Sequence, residues 1–443
     1  MALRRGLGVL LGVVLSWALV AACTTGETKT GADPSPSPTS SPTPEGPVTI
    51  TLAVFGPEAM LKAYDDLAAA FTAEHPEVTV DVQRRKDVED VMSAVGAADP
   101  PDVFLMDNDH VARLVQDRRL QPVDRLLEAR NLNFGDGFQR GGLTAFAANA
   151  SLQCMPQDVS PLVVYYNQDL VDLRRLGTPD VEPPNALDGW TWETFTAAAR
   201  RASRGRADGV YIEPSLESVA PFLWSAGGDI VDDVRNPTTL TLSDDGSRDA
   251  LEQLLSLVRD PRITPTAREL AEQDAVTRFT RGELGMIVGT RALTPRLRDA
   301  DKLHFDVMPL PTVDRLRTVA DVTGYCISAD TEHVQTAADF VAFAVGRKGA
   351  TITARPGYVV PSNLEVANSA AFAQTSEQPQ SSFVFNEGVR RAQTMPFSPA
   401  WPRLSDRVRP PLHRLFYAPV IDLEAMLQRI DKMSTRVLPQ PKQ

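Results

Sequence analysis

The chain has 443 residues, 43% of them apolar, which is enough for two or more domains with sizeable cores. Its net charge is −12 and no stripe of Lys and Arg runs through it, which argues against a nucleic-acid partner, because phosphate binding needs clustered cations. An acidic balance of this kind excludes nothing about a neutral ligand.

The first 22 residues read as an export signal. Met1–Arg5 carries two arginines, Gly6–Val20 is almost wholly apolar, and Ala21-Ala22 precede Cys23. The run is short for a bilayer span, and no other stretch is apolar enough to cross one. Val20-Ala21-Ala22-Cys23 resembles the bacterial lipobox, which implies that Cys23 becomes a lipid-modified first residue. Thr24–Pro47 is Ser, Thr, Pro and Gly with little apolar content, so residues 23–47 are expected to form an anchored, Pro-stiffened tether.

The folded body opens with an alternating strand, Val48–Gly56. A helix follows over Pro57–Glu74, with Met60, Leu61, Tyr64, Leu67, Ala68 and Phe71 on one face, and His75-Pro76 stops it. Strand Val78–Val82, helix Asp87–Val95 and strand Val103–Met106 complete a βαβαβ unit, hence a parallel sheet. Ligands of such sheets sit at the carboxyl ends of the strands, here Phe55-Gly56 and Asp107-Asn108. Asp107-Asn108-Asp109 is not a calcium loop, because Ala112 and Arg118 hold the positions that need Gly and Glu. One of these groups is expected to cap a helix over Val111–Val115.

Leu152–Leu170 is the pivotal stretch. Met155-Pro156-Gln157-Asp158 reads as a polar turn facing a cleft, and Pro161–Tyr166 as a strand buried on both faces. The chain is expected to cross here from one lobe to another. Further on, Thr191 should cap a helix running to Arg201. Other helices are read over Ser218–Ala226, Ser247–Arg259, Asp274–Arg281 and Thr336–Val345, with a largely helical Pro410–Val437. Leu284–Gly289, Phe305–Leu310 and Thr318–Ser328 are extended. Cys154 and Cys326 are either a disulfide or two buried thiols. Two free thiols is the reading preferred, and no metal-ligand spacing is present.

In order along the chain, these segments resemble the extracellular solute-binding proteins of ABC importers, in particular the sugar-binding group. The resemblance rests on Glu74-His75-Pro76 before Val78–Val82, on Pro101-Asp102-Val103-Phe104, and on the run from Met155-Pro156 to Tyr166-Asn167. It continues through Thr191-Trp192-Glu193, Gly227-Gly228-Asp229, and Phe279 with Gly282, Glu283, Gly285 and Met286. Met308-Pro309-Leu310-Pro311 and the Gly357…Pro361 turn complete it. Where many members carry a Gly and an aromatic residue before the crossover, this chain has Ala150-Ser151-Leu152-Gln153-Cys154.

The resemblance implies an α/β clamshell of two lobes, each a mostly parallel sheet flanked by helices, joined by extended hinge segments. Lobe one would be residues 48–153 plus 283–317 and lobe two 154–282 plus 318–443, with crossings near Met155, Gly282 and Thr318. It further implies a monomer, held to the membrane by its lipid on the extracytoplasmic face, that delivers a small solute, a sugar or oligosaccharide, to ABC permease subunits. A sugar site needs amide and charged groups for paired hydrogen bonds and aromatic faces for stacking. The candidates at the cleft are Asp107, Asn108, Gln157, Asp158, Ser160 and Arg291, with Phe55, Trp224 and Tyr358 as aromatics. Asp158 is the foremost of them and Trp401 a weaker addition. No cofactor is expected. An enzyme is disfavoured, because none of the five histidines sits in a catalytic motif and no GxSxG occurs. The same fold serving as a tethered sensor, or carrying a polyol, peptide or phosphodiester, stays open.

Overall fold

The computed structural model describes residues 47–177 and 182–440. The expected export signal, the Cys23 anchor and nearly all of the tether lie outside the described residues. The first sheet grows from the predicted βαβαβ unit. Val48–Val54 lies parallel to Val78–Arg84 on one side, with Val48 opposite Val78, and to Val103–Asp107 on the other. Between the first two strands, the helix Glu58–Glu74 buries Met60, Tyr64, Leu67, Ala68 and Phe71, the stripe expected from the spacing. Asp87 caps the next helix, Val88–Val95, by accepting from the Asp90 N–H.

The long strand Thr318–Ser328 completes this sheet. It runs antiparallel to Val103–Asp107 on one edge and to Cys154–Pro161 on the other. Two expectations are corrected here. Met155-Pro156-Gln157-Asp158 is not a turn, because pairing with Thr318–Ser328 makes it strand, and every residue from Cys154 to Pro161 is buried. Cys154 and Cys326 are not free thiols: they sit directly opposite each other, Cα atoms 4.4 Å apart, and form a disulfide. Pro156 has no N–H to give a ladder, and it falls where the register of the partner strand slips, between Thr323 and Gly324. The chains approach so closely there that a Cβ on Gly324 would stand 2.7 Å from the Met155 carbonyl oxygen.

The second sheet has the order Phe305–Met308, Val163–Asn167, Leu284–Gly289, Asp208–Tyr211. Val163–Asn167 is antiparallel to both its neighbours, and the last two strands are parallel. The grouping expected from sequence is therefore exchanged. Residues 284–289 and 305–308 pair with Val163–Asn167 rather than with the first sheet, while Thr318–Ser328 belongs to the first. The chain changes sheets at Leu162, over residues 309–317, and after the short strand Ala392-Gln393, and not at Gly282. Gly282 instead ends the Ala275–Thr280 helix at φ +73°, a conformation that suits glycine.

Strand alternation decides which core each residue feeds. Val163 and Tyr165 join a core continuous with the first sheet, while Val164 and Tyr166 join a second core. Helices Trp192–Ala202, Leu216–Ser225, Asp245–Val258, Trp401–Tyr417 and Leu423–Ser434 cover that second core. Trp401 is fully buried within it.

Asp158 is the one acid of the buried strand Cys154–Pro161. It lies beneath the turn at Gly357–Pro361 and accepts from the Val360 N–H at 2.6 Å and from the Ser160 hydroxyl at 2.8 Å. Desolvation dominates over these bonds, and with the charge of Asp321 it pushes the carboxyl up to about 7. A carboxyl that is harder to ionise folded than unfolded contributes stability at low pH and loses it as pH rises from the ordinary value of 3.8 to about 7.

Two outcomes are expected. Under oxidising conditions, Cys154→Ala/Cys326→Ala should lose roughly 2–5 kcal/mol of stability, because the bond closes a loop of 172 residues. Wild-type melting should be sensitive to dithiothreitol and the double variant's should not; a wild type indifferent to reductant would contradict the stabilising role. Asp158→Asn should flatten the decline in melting temperature between pH 4 and 8 by roughly 2–4 °C. An unchanged slope, measured by thermal melts at half-unit steps, would exonerate this carboxylate.

Candidate functional site

Where the two sheets meet, a cavity of about 550 Å³ opens at the carboxyl ends of two strands of the second sheet. Tyr211 closes Asp208–Tyr211, and Gly289-Thr290 close Leu284–Gly289. The wall opposite is formed at the crossings, by Leu162 and by Val319 and Asp321 of the long strand. This is the strand-end crevice at a change of sheet where α/β folds place ligands. A larger hollow of about 1060 Å³ is rimmed by Tyr166, Asp169, Arg175 and Arg201 at the end of Val163–Asn167, but no residue of the first sheet lines it.

The polar side chains of the cavity come from several elements of both sheets and their helices. Ser215 caps helix Leu216–Ser225 by accepting from the Ser218 N–H, which sets Glu217 in the first turn. Glu217 accepts from the Ser405 hydroxyl at 2.8 Å, and Glu213 pairs with Arg409 at 3.4 Å, both from helix Trp401–Tyr417. Asp321 is the exposed position of a strand whose other residues are buried, Thr323 only partly. Solvent reaches it, yet enough protein surrounds it that desolvation, followed by the charges of Glu217, Asp107 and Glu213, raises its carboxyl to about 7.

Asp107, whose charge acts on Asp321, lies opposite Thr323 at the start of helix Asn108–Gln116. It caps that helix through the His110 N–H, and its carboxylate also lies 2.6 Å from His110 Nδ1. Burial opposes a charge on His110, but Asp107 and Glu89 outweigh it and hold the imidazolium up to about 9. Asn108 is buried, accepting from the Val322 N–H and donating to Asp109.

None of the nine candidate residues lines this cavity. Asp107 is a partly exposed group whose charge acts on Asp321. Phe55 is half-buried against the first core at the end of its strand. Gln157 is buried and donates to the Tyr64 hydroxyl, and Ser160 is spent on Asp158. Trp224 packs in the second core and donates to Asp229. Tyr358 packs against the first core. Arg291 is fully buried: its guanidinium donates to the Gly357 and Phe372 carbonyls and the Ser382 hydroxyl and lies 4.5 Å over the Phe372 ring. Burial pulls it down to about 10, but it stays charged at neutral pH and fastens the returning chain to the second sheet.

The groups that do line the cavity, Tyr211, Glu213, Glu217, Asp321 and Arg409, were not anticipated. A helix expected from Ser218 leaves Glu217 in a loop, although Ser215 followed by an acidic first turn is a capping signal. Asp321 alternates with apolar neighbours and so reads as an ordinary solvent-facing strand residue.

The fold recurs widely. An ABC substrate-binding protein from Listeria monocytogenes in complex with cycloalternan superposes with a TM-score of 0.76 at 19% identity, covering 88% of this chain and 98% of that one. The GacH receptor of Streptomyces glaucescens, solved unliganded and with acarbose, gives 0.71 at 20% identity over 88% of this chain and 98% of its own. UgpB of Mycobacterium tuberculosis, in complex with glycerophosphocholine, gives 0.72 at 17%, covering 87% and 97%. At these identities the likeness shows the two-lobe clamshell fold. In sequence, a binding protein of Brucella abortus is 23% identical over 260 residues, a match covering 56% of this chain and 59% of that relative's length. Residues 66–380, well over half of the sequence, match one family throughout, and the chain belongs to it: the bacterial extracellular solute-binding proteins.

Proposed function

We propose that this protein captures a sugar or oligosaccharide in the cavity between its two sheets and hands it to an ABC permease, while a lipid on Cys23 holds it at the outer face of the membrane. The observation that supports this reading most directly is the coincidence of family and cavity. The match over residues 66–380 runs through both sheets, and a polar crevice of about 550 Å³ lies where they meet. Solved proteins of the same fold hold cycloalternan and acarbose.

The physics of such a site is capture by closure. Tyr211 offers an aromatic edge, Leu293 and Val319 apolar surface, and Glu213, Glu217, Asp321 and Arg409 the charged acceptors and donors that pair with vicinal hydroxyls. A guest touching both walls favours the closed arrangement by its difference in affinity for the closed and open states. Leu162 and residues 309–317, the crossings beside the cavity, are where backbone rotation would swing one wall against the other.

A thermal-shift screen against mono- and oligosaccharides tests the capture. At 100 times its Kd a bound sugar should contribute about 2.7 kcal/mol and raise the melting temperature by several degrees. Stabilisation by non-carbohydrate solutes alone would reassign the cargo. For the anchor, Cys23→Ser in the full-length chain should move the protein from the membrane fraction to the soluble one. Retention of the variant on membranes would refute lipidation at this residue.

A further inference from the structure

We infer that the solute bound in this cavity carries a positive charge: it is an amine-bearing, hydroxylated compound, an amino-substituted sugar rather than a neutral one. The inference rests on the cavity being the solute site. The cavity fixes where the ligand sits, and the charge of its walls indicates the class.

Asp321 is the residue that points to a cation. Every other acid near it is employed by the protein. Asp107 caps a helix, Asp109 accepts from Asn108, Glu213 pairs with Arg409, and Glu217 accepts from Ser405. Asp107, Asp109 and Glu217 also stand at helix starts, where the dipole favours negative charge. None of this applies to Asp321. It projects from the middle of a strand, and among the described residues its carboxylate has no hydrogen-bond partner and no ion pair. The charged groups acting on it are Glu217 and Glu213, which line the cavity with it, Asp107 at the start of helix Asn108–Gln116, and Asp158 on the paired strand. Asp109 feels its charge as well. Among the charged side chains that line the cavity, Glu213, Glu217, Asp274 and Asp321 are acids and Arg409, already engaged by Glu213, is the base, while Asp274 pairs with Arg296 and His110 is held between Asp107 and Glu89. Acids therefore outnumber bases, and the excess falls on the cavity wall.

A neutral sugar would leave this repulsion in place. An ammonium group near Asp321 would relieve it and displace the proton that repulsion and desolvation keep on the carboxyl. A bare metal ion fits less well, because among the described residues no three His, Cys, Asp or Glu side chains converge closely enough to hold one. The charge is spread over an extended wall, which suits an organic cation with hydroxyls around it.

The test is calorimetric titration of the intact protein at pH 7 with glucose and maltose, and with their counterparts carrying an amine at carbon 2, 3 or 6. At least one amino sugar should bind about tenfold or more tightly than its neutral parent. Its affinity should rise roughly tenfold from pH 5.5 to 7, as Asp321 gives up its proton, with proton release visible as a buffer-dependent heat. Asp321→Asn should abolish both the preference and the pH dependence; if that variant fails to fold, Glu217→Gln should reduce them. Neutral sugars binding as tightly as the amino sugars would overturn the inference and leave the carbohydrate reading standing. Binding of neither class would remove both. A preference that survives in a folded Asp321→Asn would overturn the role of this residue.

Discussion

The structure depends on one pairing, that of Thr318–Ser328 with Cys154–Pro161. These strands lie beside each other along seven matched positions and are joined covalently at one end of the ladder. Each continues into, or arrives from, a crossing to the other sheet. Leu162 follows the first strand, and residues 309–317 precede the second. The ladder therefore fixes where both connections leave the first sheet, and with them the distance between the cavity walls. It also sets the phase of side chains along the long strand. Val319 and Asp321 face the cavity, while their neighbours Ala320 and Val322 are buried. A slip of one residue would exchange those roles.

This constraint is met at some expense. Burying Asp158 and Gln157 in the same strand requires a partner for each, supplied by Val360, Ser160 and Tyr64. The returning segment that supplies Val360 is held by Arg291, whose three acceptors are two carbonyls and a hydroxyl rather than a carboxylate. The guanidinium carbon lies 4.5 Å from the centre of the Phe372 ring and 5.1 Å from that of Phe385. A lysine could not replace this geometry, since it lacks both the planar fork and the flat surface the rings cover. Asp158 and Arg291 were legible as unusual residues, but they turn out to build the scaffold behind the cavity rather than the cavity itself.

The parallel part of the first sheet could be read from sequence because its signals are local. Alternation in Val48–Val54, the helical stripe of Glu58–Glu74 and the cap at Asp87 each lie within a few residues. Long-range pairing carries no such signal. Met155-Pro156-Gln157-Asp158 has the composition of a turn and becomes strand only because a segment more than 160 residues later lies beside it. Leu284–Gly289 was identifiable as a strand, but nothing within it indicates that its partner is Val163–Asn167. The cavity acids were missed for a related reason. Glu217 and Asp321 are unremarkable in their own segments, and they acquire meaning only when a helix start and a strand middle are brought face to face.

The bond between Cys154 and Cys326 has one more implication. Both sulfurs sit in side chains with no accessible surface, in the centre of the first core, so the link has to be made before that core closes around it. The reducing cytosol disfavours such a link, and the family to which the chain belongs works outside it. Maturation is then tied to address: the clasp belongs to the oxidising side of the membrane, and copies held in the reducing cytosol would lack it.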